Sequence, residues 1–256
     1  MIKLLTEPPD RCLEYLCKKH IFGIRVLSNI HAYQGYFDFF KAWVQLSGEN
    51  ITAVFCLYDG IVTLYADACA DYEEIAAFIR MLGDIKIYCN GENFDALGLS
   101  VLRDGYIMRH FDQGLLKSAD LCGSVDFSCP YKEVYDILSV NSGSAVYSPE
   151  YDVWYADINH KIRHDISKMA VMYKDNCAVS CGLILANERD FALLGGIATP
   201  SEYRGNGYGG LIVSALVRDA LKNKKVPYLF RDTGKNMEFY NHLGFEDVGK
   251  WAFGGI

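Results

Sequence analysis

Residues 195–210 read GGIATPSEYRGNGYGG, a glycine-rich stretch between a β-rich run and a helical one. Upstream, Phe191 to Ala198 is a β-rich run; downstream, Gly207 to Lys222 carries Leu211, Ala215 and Leu216 at helical spacing. A strand therefore enters a glycine-rich loop, and the loop enters a helix. Glycine permits positive φ and lets a ligand approach the backbone closely. Successive amides at a helix N-terminus attract an anion, and Arg204 adds a fixed positive charge. Four glycines within the six residues 205–210, next to an arginine, suit a pyrophosphate better than a turn that holds nothing. A P-loop needs Lys-Ser or Lys-Thr after its last glycine, where this chain has Leu211-Ile212, so that reading fails. Gly205-x-Gly207-x-x-Gly210 fits a dinucleotide turn, with Asp232 about 20 residues further on. Against it, Thr199 to Arg204 intervene between the strand and the first glycine, and too little chain follows to build the remaining βα units.

Working outward, the C-terminal half is ordered hairpin, helix, strand, helix, strand. Pro130 to Val140 has helical spacing, Lys168 to Tyr173 and Cys177 to Leu185 form a hairpin about Asp175-Asn176, and Val226 to Phe230 is a short strand. Asn236 to Leu243 is a short helix closed by Gly244, and Phe245 to Phe253 ends the chain as one or two strands. The N-terminal half repeats the order. Ile51 to Tyr58 and Ile61 to Ala66 flank Asp59-Gly60, a hairpin turn signal. Asp71 caps a helix to about Leu82, Ile85 to Cys89 alternates as a strand, a short helix follows near Phe94 to Leu99, and Gly105 to Met108 starts another strand. The expected fold class is therefore α/β (α+β), a mixed twisted sheet flanked by helices, in two similar domains. The likeness lies in element order, and such orders also arise independently, so duplication stays open. Residues 111–128 lack periodicity and are the best linker, giving domains at 1–118 and 119–256.

Composition narrows the function. The chain has 256 residues, 51% of them hydrophobic, enough for packed cores and too apolar for intrinsic disorder. A net charge of −7 disfavours nucleic acid as a partner. The absence of a long apolar run leads us to expect no signal peptide and no membrane span. Nine cysteines, none at CxxC spacing, fit free thiols in a reducing cytoplasm, with Cys177 and Cys181 read as small core residues. His160 and His164, four apart, could hold a metal on a helix, but a polar face is the simpler reading and no metal is expected.

IATPSEYRGNGYGG resembles the acetyl-CoA loop of the GNAT superfamily of N-acetyltransferases. That pattern is Arg or Gln, two residues, Gly, one residue, then Gly or Ala, and Arg204, Gly207 and Gly209 occupy it. Asn236 to Phe245, NMEFYNHLGF, resembles the family's next signature through Asn236, Tyr240, Leu243, Gly244 and Phe245. The resemblance covers roughly the last half of the chain. It implies acetyl-CoA as cosubstrate, with the backbone of Ile197, Ala198 and Thr199 along the pantetheine and an amide there as oxyanion site. It implies pyrophosphate binding by Arg204, Gly205, Asn206, Gly207, Tyr208, Gly209 and Gly210, and a cofactor contact from Asn236. Tyr240 is the implied acid: it would protonate the departing thiolate, and phenol and thiol pKa values lie within ~2 units of each other. Phe239 beside it reads as core. The base is open among Glu188, Asp190, Glu202 and water.

The corresponding N-terminal loop, Asp67-Ala68-Cys69-Ala70-Asp71, has two carboxylates and neither glycine nor a basic residue, so it would repel a pyrophosphate. A GNAT-like N-terminal half would be degenerate. Shaping the acceptor cleft, masking a sheet edge and a homodimer contact are roles open to it, and its aromatic stretch Tyr33 to Trp43 reads as core rather than acceptor wall. The leading function is transfer of acetyl to a primary amine of a small molecule or peptide. The alternatives are a non-catalytic acyl-CoA-binding or regulatory module and transfer of a longer acyl group.

Overall fold

The computed structural model describes residues 1–6, 10–16, 20–35, 37–118, 125–140 and 150–255. They form two compact units. One comprises Met1–Ile107, Arg231–Lys235 and Val248–Ile256, and the other Met108–Phe230 and Asn236–Asp247. The expected cut at 118/119 borders residues 119–124, which lie outside the described residues. The compact units are discontinuous, because strands late in the chain supply residues to the first of them.

The N-terminal unit contains β1 (Ile2–Leu4), α1 (Asp10–Leu16), α2 (Ile21–Tyr33), β2 (Lys41–Ser47), β3 (Asn50–Tyr58), β4 (Ile61–Ala66), α3 (Tyr72–Met81), β5 (Lys86–Asn90), α4 (Gly91–Ala96) and most of β6 (Ser100–His110). Asp59 and Gly60 both take positive φ, 49° and 70°, the primed turn whose twist matches the paired strands of β3 and β4. Pairing is antiparallel from β1 through β4, and β4 then lies parallel to β5. The last strand of the chain, β12 (Phe245–Gly255), pairs antiparallel with β5 from Trp251↔Asn90 to Gly255↔Lys86. Trp251 fixes that register: its ring meets Tyr88 edge-on at 5.4 Å, and its Nε1 donates to the Arg231 carbonyl at 3.1 Å. The core gathers Phe55, Leu64, Ile75, Ile79, Ile87 and Phe94, each contributing about 1.5–3 kcal/mol of hydrophobic burial. Asp71 caps α3 as expected, its carboxylate accepting from the Glu74 amide at 2.9 Å.

Three sequence expectations shift here. The short helix expected near Phe94 to Leu99 spans Gly91–Ala96, and β6 begins at Ser100, before Gly105. The aromatic stretch is only partly core: Tyr33, Phe40 and Trp43 are buried, whereas Phe37 and Phe39 are exposed and stack on each other at 4.8 Å.

The C-terminal unit contains β7 (Val125–Asp126), α5 (Tyr131–Val140), α6 (Tyr151–Arg163), β8 (Lys168–Lys174), β9 (Cys177–Glu188), β10 (Phe191–Ala198), α7 (Tyr208–Lys222), the first part of β11 (Val226–Asp232) and α8 (Met237–Asn241). β7 through β10 pair antiparallel, and β10 lies parallel to β11. Adjacent strand residues point to opposite faces, and the two cores follow that alternation. Val171 and Leu183 pack with Val134, Leu138, Trp154 and Ile158 of α5 and α6. Ala170 and Ile184 pack with Ile212, Val213 and Leu216 of α7, a core that also takes in Tyr240, Leu243 and Phe245. Cys181 is buried in the first of these cores, but Cys177, at the start of β9, is exposed, which corrects its reading as a core residue. Mixed pairing with helices on the sheet faces is the expected fold class.

Candidate functional site

β10 and β11 are in parallel register only from Phe191↔Val226 to Leu194↔Leu229. Beyond Leu194, β10 continues to Ala198 in register with β9, which slips between Gly195 and Ala198. Such an irregularity bends a strand and re-aims its backbone. The β10–β11 ladder thus ends at Leu194↔Leu229, four residues before the end of β10 at Ala198.

The loop after Ala198 is braced by its own polar groups. Ser180 Oγ donates to the Ala198 carbonyl at 2.9 Å and lies 2.8 Å from Thr199 Oγ1. Arg204 Nε donates to the Thr199 carbonyl at 2.9 Å. Asn206 Nδ2 reaches the carbonyls of Tyr203 (3.1 Å) and Arg204 (3.2 Å). Gly207 is the N-cap of α7 at φ 81°, ψ 0°, a left-handed conformation in which a Cβ is strained, and it offers no side-chain cap. An added Cβ on Gly205 or Gly207 would meet nothing within 4 Å. The amides opening the 15-residue α7 (Tyr208, Gly209 and Gly210) sit at the positive end of its dipole, and the space beside Gly205 and Gly207 just before them is open. That arrangement suits an anion.

A second cation stands here that sequence reading missed. Lys117 Cε would lie 3.4 Å from a Cβ on Gly210, in the first turn of α7. Its amide donates to Ser214 Oγ at 3.0 Å, and its carbonyl accepts from Arg218. Lys117 falls in the segment read as linker, where no local pattern marks it.

The second signature meets the first through Phe239. Its Cζ would lie 3.6 Å from a Cβ on Gly209, whose other neighbour is Thr199 Oγ1 at 3.4 Å. The end of β10, the glycine loop and α8 therefore converge on Gly209. Phe239 is 37% exposed, which corrects its assignment to the core. Tyr240 is 7% exposed, its ring 5.0 Å from that of Phe239 and 6.1 Å from that of Phe245. Asn236 is exposed, caps α8 at φ 56°, and accepts the Tyr240 amide at 3.1 Å.

The candidate bases are not gathered at this point. Glu188 is paired with Phe191, seven residues along β10 from Ala198, roughly 23 Å at 3.3 Å per residue. Asp190 sits in the turn at that same far end. Glu202 is exposed, with Ser201 Oγ 3.2 Å from its carboxylate. His160 and His164 lie at the end of α6 with ring centroids 4.3 Å apart. Among the described residues no group of three or more His, Cys, Asp or Glu is placed to hold a metal. His110, at the end of β6, packs edge-on against Phe245 at 5.1 Å, and among the described residues its Nε2 is buried without a partner. Burial lowers its pKa below 6.5, against the opposing pull of Asp112.

Residues 131–245 match the acetyltransferase (GNAT) family. Solved structures with the same fold include an acetyltransferase from the GNAT family of Colwellia psychrerythraea, at TM-score 0.61 and 11% identity over 100% of both chains. A tandem GNAT protein from the clavulanic acid biosynthesis pathway aligns at TM-score 0.64 and 11% identity over 99% of this chain and 97% of that one. A GCN5-related N-acetyltransferase from Kribbella flavida aligns at 0.64 and 12% over 92% and 93%. At such identities these likenesses establish the fold alone. No curated protein matches the chain in sequence.

Proposed function

We propose, from the match of residues 131–245 to the acetyltransferase (GNAT) family, that the protein is an acetyl-CoA-dependent N-acetyltransferase acting on a primary amine of a small molecule or peptide. The family transfers acyl groups from acyl-CoA to amine acceptors; the choice of acetyl and of this acceptor class is our reading. The observation that carries it is the convergence of the uncapped α7 N-terminus, the parted end of β10 and Tyr240-bearing α8 on Gly209.

In this reading the pyrophosphate rests on the amides of residues 205–210, with Arg204 and Lys117 supplying positive charge. The pantetheine arm runs along Ile197, Ala198 and Thr199, and Asn236 contacts the cosubstrate. The amine nitrogen attacks the thioester carbonyl carbon, and an amide of β10 holds the developing oxyanion. Attack forms the C–N bond, and collapse of the oxyanion then breaks the C–S bond. The sulfur leaves with the electron pair and takes a proton from the Tyr240 hydroxyl. The proton lost by the amine passes to water, since Glu188 and Asp190 lie at the far end of β10, and water returns a proton to the Tyr240 phenolate. Free thiols at the described cysteines, five of them buried, support a cytoplasmic location. Among the described residues no helix is long and apolar enough to cross a membrane.

The burial of Tyr240 also suits a packing role, which keeps the non-catalytic acyl-CoA binder as a second reading. The test is release of free coenzyme A from acetyl-CoA across a panel of primary amines. Amine-dependent release that falls in Tyr240→Phe supports transfer. Binding of acetyl-CoA with no release above hydrolysis for any amine would move the assignment to the binder.

A further inference from the structure

The two units carry ten-residue segments that match at four positions. Asn90 to Leu99 reads NGENFDALGL and Asn236 to Phe245 reads NMEFYNHLGF, so Asn, Glu, Leu and Gly recur at 90/236, 92/238, 97/243 and 98/244. Both segments form a short helix closed by a glycine at positive φ, 63° at Gly98 and 83° at Gly244. Asn90 and Asn236 hold the N-cap positions of α4 and α8, Asn90 extended with its side chain accepting the Asn93 amide and Asn236 left-handed at φ 56° without a side-chain cap. The strands before them behave alike too. β4 is in parallel register with β5 only from Ile61↔Lys86 to Thr63↔Tyr88 and then runs on to Ala66, as β10 runs on past β11. Each unit therefore has a strand parting at the same place, with a helix N-terminus just beyond it.

What fills that place differs. Asn93 stands where the C-terminal unit has Phe239, and it is 3% exposed. Its Oδ1 accepts the Ala66 amide at 3.2 Å, and its Nδ2 donates to the Ala66 carbonyl at 3.1 Å and to the Tyr72 hydroxyl at 2.8 Å. One carboxamide thus takes both backbone groups of the strand end, as a ligand amide lying along that strand would. The Asp67 amide is held by the Tyr15 hydroxyl at 3.1 Å and the Thr52 carbonyl at 2.9 Å. At the helix N-terminus, the Asp71 carboxylate takes the Glu74 amide at 2.9 Å, whereas Gly207 offers α7 no side chain. A fixed carboxylate there occupies the donor and repels an incoming anion. The position of Tyr240 is held by Phe94, which has no hydroxyl to donate.

We infer that the N-terminal unit holds a second copy of the cofactor cleft closed by its own side chains, with the Asn93 amide in the place of the pantetheine and the Asp71 carboxylate in the place of the pyrophosphate. The chain then has one acyl-CoA site. The identity of the displaced ligand rests on the function proposed above; the closure itself rests on the contacts of Asn93 and Asp71.

Amide hydrogen exchange on the full chain, with and without saturating acetyl-CoA, tests this. Protection is expected in residues 195–210 and 236–245 and not in 66–75 or 90–99. In Asn93→Leu, exchange of the Ala66 amide should accelerate by about tenfold or more, because its acceptor is gone. Acetyl-CoA-dependent protection at 66–75 or 90–99 would overturn the inference, as would unchanged Ala66 exchange in the variant. The ligand comparison uses the unaltered protein and does not depend on the variant folding. Protection in none of these segments would sink the proposed function, and the Ala66 exchange rate in Asn93→Leu then decides the closure by itself.

Discussion

Replacing Gly207 with aspartate gives the C-terminal unit the feature that closes the N-terminal one. A Cβ at this position meets nothing within 4 Å, so the cost of the change is backbone strain at φ 81°. For an L-residue in the left-handed region that strain is about 1–2 kcal/mol, least for Asp and Asn. The melting temperature of a chain this size should therefore fall by only about 2–8 °C. The effect on the cosubstrate is larger. A carboxylate about 5 Å from a phosphate charge, at an effective dielectric near 20, is repelled by roughly 3 kcal/mol. Acetyl-CoA should bind about 100-fold more weakly. Isothermal calorimetry reads the affinity and thermal melting reads the fold, so the two effects separate. An affinity within threefold of wild type, in a variant that melts normally, would refute the placement of the pyrophosphate on the N-terminus of α7.

Tyr240→Phe removes a hydroxyl from a ring already packed against Phe239 and Phe245. Turnover should fall by roughly 10²–10⁴ with acetyl-CoA affinity nearly intact, and equal turnover would exclude Tyr240 as the acid. Gly244→Ala would put a Cβ 2.3 Å from the Asp112 carbonyl oxygen at φ 83°, and unfolding should be easier by about 2–5 kcal/mol, read by thermal denaturation. His110 has its pKa lowered in the folded state, so the unfolded chain binds the proton first as pH falls below 6.5. The stability it contributes is full above that value and is lost as pH falls towards the folded pKa. His110→Asn should flatten the decline in melting temperature as pH falls below 6.5, and an unchanged slope would remove His110 from that role.

The loop and the second signature are legible in sequence because their chemistry is local. A cap, a glycine at positive φ and a turn dipeptide each act within a few residues, and Asp71, Gly207 and Asp59-Gly60 stand where sequence reading puts them. What escapes is non-local or lacks periodicity. α2 is buried nearly all round, from Ile21 through Tyr33, and Arg25, Ser28 and Asn29 leave only a narrow polar stripe to betray a helix. β12 joins the N-terminal unit by pairing with β5 some 160 residues earlier, which no local pattern announces. Lys117 reaches the first turn of α7 from a segment without repeat or motif. The likeness of Asn90–Leu99 to Asn236–Phe245 is present in the sequence, but it stands out only once both segments are seen as strand, cap, short helix and glycine.

Calorimetric titration of the full chain with acetyl-CoA, with NAD and ATP as controls, shows whether the glycine loop holds this cosubstrate. Binding of one acetyl-CoA per chain, with neither control bound, is the predicted result. Absence of acetyl-CoA binding to the folded protein would contradict the account, because the glycine loop, Arg204 and the parted end of β10 would then hold no cosubstrate.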